Sequence, residues 1–405
     1  DGPAHERIVE KKENGPVKKA VMVPVKIVAF PFVLMGKGME ATLLAVEENN
    51  LVVRAEAYRR ILEQRHLRIL YGVGYDGAGF GGGVEWSPPK GLLKPVFSGA
   101  ISYKLYQVYR IRLGLSPLFA ESLGVSGEAR YRYLPQEDFY GIGPNARQQN
   151  RTNYKLEQIV APLSLTGAFF SKALRWDAGV EYSSSHTYSG DDNEWPSTET
   201  VFTRAEVPGL GVAVEQVTTS VALSYLGLDN PDDPWSGVHI KTLAAWAEDV
   251  EGPTYDYWRA YAEFYGFLPL LGRGNRFGPR SAIGLRAYVD LNKPAHTGGA
   301  VPFFDMPRVG GSQTLRGFRE FRFTDNNAAV INIEYKYPIE SLLEAVLFWD
   351  EGQVFGETAD FDLSDFRSSY GGGIRAVFHG NVFVRLEVAR GAEGSRVIFK
   401  FGGGF

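Results

Sequence analysis

The stretch VINIEYKYPI, residues 330–339, decides the fold. Ile331, Ile333, Tyr335, Tyr337 and Ile339 fall on one parity, and Asn332, Glu334 and Lys336 on the other. A period of two is the mark of a strand, whose successive side chains point to opposite faces. The pattern recurs along the chain. Tyr109, Ile111, Leu113 and Leu115 oppose Arg110, Arg112 and Gly114. Ile283, Leu285, Ala287 and Val289 oppose Gly284, Arg286, Tyr288 and Asp290. Trp258, Ala260, Ala262 and Phe264 oppose Arg259, Tyr261, Glu263 and Tyr265, and Val382, Val384, Leu386 and Val388 oppose Phe383, Arg385, Glu387 and Ala389.

A soluble sandwich alternates too, with its apolar face inside. Two features point elsewhere. The alternating segments run for ~9–12 residues, beyond the mean soluble strand. Their polar face carries full charges repeatedly, while tyrosine, tryptophan and phenylalanine rim the apolar face. That is the pattern of a transmembrane antiparallel β-barrel with a polar lumen and lipid outside. A closed barrel satisfies backbone groups in the bilayer, which an open sheet cannot do. The expected class is therefore all-β. About sixteen strands are expected, starting near 68, 79, 96, 106, 119, 154, 174, 212, 237, 255, 279, 325, 342, 370, 381 and 395.

The last of these is RVIFKFGGGF, residues 396–405, ending in an aromatic as outer-membrane sorting signals do. Its pairing with the first strand, near Arg68–Tyr75, closes the barrel. Gly402, Gly403, Gly404 and Phe405 are assigned to that seam, and glycine makes it weak, since it loses most entropy on ordering and offers no cross-strand contact. The long connections are 186–210, 226–236 and 291–324, and long loops belong outside the cell. With the last strand running down to the periplasm, 291–324 joins strands eleven and twelve as the sixth extracellular loop.

The remaining composition mainly excludes. The chain has 405 residues, no cysteine and a net charge of -4, so disulfide frameworks, thiolate metal sites and nucleic acid are not expected. Its 47 glycines and 13% aromatics suit a turn-rich β fold. The apolar run 20–35 is interrupted by Pro24, Lys26 and Pro31, so no ordinary transmembrane helix is expected, and any secretory signal is taken to have been removed ahead of Asp1. Residues 1–65 are assigned to a periplasmic or interfacial segment. Its stripe of Leu51, Val52, Ala55, Tyr58, Ile61 and Leu62 reads as helical, and 66–405 is the barrel. Gly72, Gly74 and Gly77 fit a dinucleotide fingerprint in spacing alone, because strand rather than helix follows. The six histidines are scattered, and no serine–histidine pair stands out. No enzyme, catalytic residue, cofactor or metal is expected. The acidic groups Asp191, Asp192, Glu194 and Asp229, Asp232, Asp233 read as solvated surface rather than a cation site.

The tetrad Leu315-Arg316-Gly317-Phe318, preceded by GGSQT, resembles the sixth-loop signature of the BamA/TamA superfamily of outer-membrane assembly and translocation barrels. Phe348-Trp349-Asp350-Glu351-Gly352 matches that family's F-x-D-x-G motif on strand thirteen, with VINIEYKYPI between. FYGIGP, residues 139–144, and RTNY, residues 151–154, are also similar. The resemblance covers about residues 66–405. It implies a loop folded into the lumen, pinned by Arg316 to a wall carrying Phe348, Asp350 and Gly352. Physically, an arginine withdrawn from water needs a carboxylate, and a guanidinium fork matches one in two parallel hydrogen bonds. A solvated loop arginine is the alternative. Periplasmic POTRA units run to about seventy-five residues in this family, and the helical 1–65 is too short for one, so the resemblance is to the subset lacking them.

The function expected from the resemblance is insertion or translocation of protein or lipid through a weak seam in a bacterial outer membrane. The alternatives are a scaffold for a lipoprotein or for a second copy of the chain, and, below it, a passive pore. The expected partners are the lipid bilayer, nascent outer-membrane proteins or a periplasmic lipoprotein, with no nucleic acid.

Overall fold

The computed structural model describes residues 61–71, 75–89, 91, 93–115, 123–169, 173–270, 281–340, 342–378 and 381–401. The chain divides into two compact units, 1–58 and 59–405, and the first lies outside the described residues. Of the helical segment expected over 1–65, only residues from 61 onward are described. Ile61–Gln64 form a helical turn there.

The sheet is built from β1 (Leu67–Tyr71), β2 (Gly81–Trp86), β3 (Leu93–Ser102), β4 (Gln107–Leu115), β5 (Leu123–Phe139), β6 (Thr152–Ala168), β7 (Leu174–Ser189) and β8 (Ala213–Leu228). It continues through β9 (Gly237–Asp249), β10 (Tyr257–Pro269), β11 (Ala282–Pro294), β12 (Asn327–Glu340), β13 (Leu343–Phe355), β14 (Arg367–Phe378), β15 (Asn381–Gly391) and β16 (Gly394–Phe401). All sixteen pair with their sequence neighbours in one antiparallel sheet. The edges approach each other. The Lys400 ammonium meets the Asp76 carboxylate, and the Phe80 and Phe401 rings lie 5.6 Å apart. Among the described residues no ladder joins β1 to β16. The seam residues Gly402–Phe405 lie outside the described residues.

Burial follows the alternation. On β12, Ile331 and Ile333 are 37% and 38% exposed on the outer face, while Asn332, Glu334 and Lys336 are each 1% exposed inside. Apolar groups on the outside and charges within are what lipid outside and a polar lumen require. Val382 departs from its expected face and is buried, where the β14–β15 register shifts between Ala376 and Val377.

Strand length also departs from expectation. Strand β2 has 6 residues, whereas β5 and β6 have 17 each. The upper ends of the long strands wall in the connection 295–326. Leu134, Phe139, Tyr154, Leu156 and Val214 pack against Val301, Phe303, Phe304 and Met306 of that loop. Within it Arg308–Val309 pairs with Phe323–Thr324, so the segment between them forms a closed tip.

The connection 229–236 follows an even-numbered strand and therefore lies at the opposite rim from 295–326. The expected outer loop at 226–236 is thus corrected, and so is the solvated reading of Asp233. Asp233 is 4% exposed and pairs with the Lys336 ammonium, which also lies 4.5 Å from the Trp235 ring centroid. A buried lysine needs an anion, and this turn supplies one.

Candidate functional site

Phe348, Asp350 and Gly352 sit at alternate positions of β13, so all three face the lumen without a bulge. Cross-strand register brings polar groups beside them. Asn332 of β12 lies opposite Asp350, and Ser369 of β14 lies on its other side. Glu334, Arg375, Arg385 and Glu387 share this inner surface, each no more than 2% exposed.

The tip of the 295–326 loop descends onto this surface. Leu315 and Phe318 are buried with Val309, Phe323, Val330 and Val354. Between them Arg316 reaches Asp350. Its Nη2 donates to Oδ1 at 2.7 Å, its Nε to Oδ2 at 3.1 Å, and its backbone N–H to Oδ2 at 3.1 Å. Nη1 donates to Glu334 Oε2 at 3.0 Å. The guanidinium carbon lies 3.5 Å from the Phe348 ring centroid, a cation–π contact. Asn332 Nδ2 and Ser369 Oγ donate to Asp350 at 2.9 and 3.0 Å.

Arg375 extends the network, donating to both oxygens of Glu334 at 2.6 and 2.7 Å and to Glu387 at 2.8 Å. Arg385 lies 3.9 Å from Glu387 and donates to the Ser312 carbonyl at 3.1 Å. Three arginines thus face three carboxylates. Neutrality is what permits such burial, since one unpaired ion costs several kcal/mol. Gly317 sets the depth of the tip. A Cβ there would stand 2.5 Å from Gly391 N and 2.7 Å from Ser369 Cβ. The absence of a side chain lets the loop backbone touch the β15 backbone.

A second arginine anchors the loop on the other side. Arg308 donates to Glu137 Oε2 at 2.9 Å and to the Tyr75 hydroxyl at 2.7 Å, and Tyr75 itself donates to Glu137 at 2.7 Å. Its guanidinium lies 3.7 Å from the ring centroid of Phe321, a residue held at φ 57°. Burial, set against the nearby Arg308 charge, pushes the Tyr75 hydroxyl well above its ordinary value. The 139–154 stretch joins in. Gly143 N–H donates to the Thr324 carbonyl at 2.8 Å, and Arg151 forks onto Asp138 at 3.0 Å. The loop thereby touches β12–β15 at Arg316 and the β1–β2 connection at Arg308.

A family model described as the Omp85 superfamily domain matches residues 98–378, more than half of the chain and a span that includes the loop tip and the β13 motif. The chain belongs to the Omp85 superfamily. The superfamily expected from the two motifs is the one found, and it places this Omp85 chain among outer-membrane barrels. Its fold is similar to BamA from Haemophilus ducreyi lacking POTRA domains 1–3, with a TM-score of 0.61 at 15% identity, covering 83% of this chain and 69% of that one. It is also similar to CdiB from Escherichia coli, with a TM-score of 0.52 at 12% identity, covering 82% of this chain and 59% of CdiB, less than two thirds of its length. A comparison with curated proteins gives no match.

Sequence reasoning named Arg316 and Asp350 in this Omp85 barrel but missed Glu334, Arg375, Arg385, Glu387, Asn332 and Ser369 as their company. Asn332, Glu334, Arg385 and Glu387 were visible as inward parity. What was lacking was the inter-strand register. Among the described residues no group of acidic or histidine side chains is arranged to hold a metal ion.

Proposed function

We propose that this Omp85 barrel assists the insertion or translocation of protein or lipid in a bacterial outer membrane by parting between β1 and β16. One observation carries the reading. The last strand, β16, meets the β1–β2 connection through the Asp76–Lys400 and Phe80–Phe401 side-chain contacts, while no ladder joins β1 to β16 among the described residues. An edge with unpaired N–H and C=O groups can take up an incoming strand. Side-chain contacts at a rim are cheaper to part than a run of ladder hydrogen bonds. The reading calls for neither a cofactor nor a covalent step. Its partners are the bilayer and an unfolded barrel precursor.

The chain has no cysteine, so an introduced pair is unambiguous. Asp76→Cys and Lys400→Cys, bridged by a reducible bismaleimide, are expected to stop insertion of an unfolded barrel precursor in proteoliposomes. Reduction restores it, and the unbridged variant inserts throughout. Insertion that continues at full rate across the bridge removes seam opening from the mechanism. The barrel is then a scaffold for a lipoprotein or a second copy of itself.

A further inference from the structure

Charge is balanced in the β12–β15 network and locally unbalanced on β4 and β5 among the described residues. On β4 and β5, Tyr109, Ile111, Leu113 and Tyr131 point outward, so Arg110, Arg112, Arg130 and Arg132 point in. Arg110 lies directly opposite Arg130, and Arg112 opposite Glu128. Like charges facing each other across an antiparallel pair are unfavourable, so the arrangement calls for an anion. Glu128 is the nearest. It lies 3.3 Å from Arg110, 3.0 Å from Arg112 and 2.6 Å from Arg130. One carboxylate offers about four acceptor sites, and each guanidinium carries five N–H groups. Most of those donors therefore remain for other acceptors. Among the described residues, the side-chain hydrogen bond of Arg132 goes to the neutral Gln158 amide oxygen, at 3.0 Å. Counting Glu181 of β7, which points inward two strands away, between the exposed Val180 and Tyr182, four arginines meet two carboxylates among the described residues of this wall. The whole chain is at -4, so this excess is local. The side chains of Arg112 and Arg110 are 51% and 35% exposed, open to the lumen.

We infer that the lumen face of β4 and β5 is a track for an acidic polypeptide segment in extended conformation. The arginines stand at three successive inward levels, Arg112, then Arg110 with Arg130, then Arg132. Two residues of strand rise separate each level from the next, ~7 Å. An extended guest chain repeats its own side chains at that same interval, so carboxylates at alternate positions meet a guanidinium at each level, bidentate where the fork allows. A lipid phosphate is one compact anion and would occupy a single level. The contrast with the β12–β15 network is chemical. There the loop's Arg316 completes a neutral hexad, whereas here the wall is left positive. The nature of the guest rests on the reading of the barrel as a conduit, but the test is binding at equilibrium, which a barrel whose seam never parts can still pass or fail.

The probe is a fluorescent peptide of alternating Asp and Ser, titrated by anisotropy against the whole barrel in neutral-lipid nanodiscs. Its Asn–Ser counterpart is the control. The acidic peptide is expected to bind, more weakly as salt rises, and the Asn peptide not. Arg110→Gln with Arg112→Gln is expected to weaken binding about tenfold, in line with the loss of two partly desolvated charges. Glu128→Gln removes the local anion and tightens it, a change that misfolding cannot imitate. Equal binding of both peptides overturns the track, as does indifference to both sets of variants. So does binding of anionic lipid alone, through the same arginines, with no peptide bound.

Discussion

Arg316 and Asp350, thirty-four residues apart in sequence, are joined by Nη2 to Oδ1 at 2.7 Å and Nε to Oδ2 at 3.1 Å, with the Arg316 backbone N–H closing on the same carboxylate. The pair fixes the loop tip to the inner wall at a point where neither group meets water. Its worth lies in position rather than in stability, because a buried ion pair barely repays its own desolvation.

Removing one partner should therefore cost more than the pair contributes. Arg316→Ala leaves three carboxylates with two arginines and is expected to destabilise the barrel by about 3–5 kcal/mol. Asp350→Ala should cost a comparable amount, and the double variant less than the sum. Urea unfolding read by heat-modifiable gel mobility supplies the cycle. Additive losses would show the two side chains to be uncoupled.

Gly317→Ala tests the close approach of the tip. A methyl 2.5 Å from Gly391 N must push the loop away from β15, because backbone cannot swing aside as a side chain can. A loss of about 1–3 kcal/mol is expected, as for other overpacked contacts. Protease cleavage within 308–322 should rise in step. An unchanged cleavage rate and melting temperature would mean the tip sits less deeply.

In planar bilayers the intact barrel should show small, unsteady currents, because the loop fills the upper lumen. Deletion of 308–322, which removes both anchoring arginines, should enlarge them. Large steady steps from the intact protein would contradict a lumen obstructed by the loop.

The pH dependence centres on Asp305, in the same loop. Burial pushes its carboxyl up to about 6, against the opposing pull of Arg259 and Arg308. A carboxyl whose folded value exceeds its unfolded one near 3.8 favours folding in its protonated form. The contribution is complete below about pH 4 and is lost as pH rises through about 6. Loop docking should accordingly weaken between pH 4 and 6 by ~1–3 kcal/mol and stay level above. Asp305→Asn should flatten that profile and raise stability at pH 7. A slope of the opposite sign, measured by loop proteolysis, would assign the titration to another group.

The alternation of residues 330–339, repeated along the chain, was enough to fix strands, inner and outer faces and a count of sixteen, because a strand's period of two is a local property of the backbone. It also placed the loop between β11 and β12, and two short motifs pointed to Arg316 and Asp350. Other features were settled only by tertiary structure. Arg308 meets Tyr75 across 233 positions, Lys336 meets Asp233 across 103, and Glu334 joins Arg316 to Arg375. The 17-residue lengths of β5 and β6 likewise go with the loop residues packed against their ends. A sequence states which side chains face inward, strand by strand. Which inward charges neutralise one another depends on inter-strand register and on the depth a loop reaches, and both are set by the packing of segments distant in the chain.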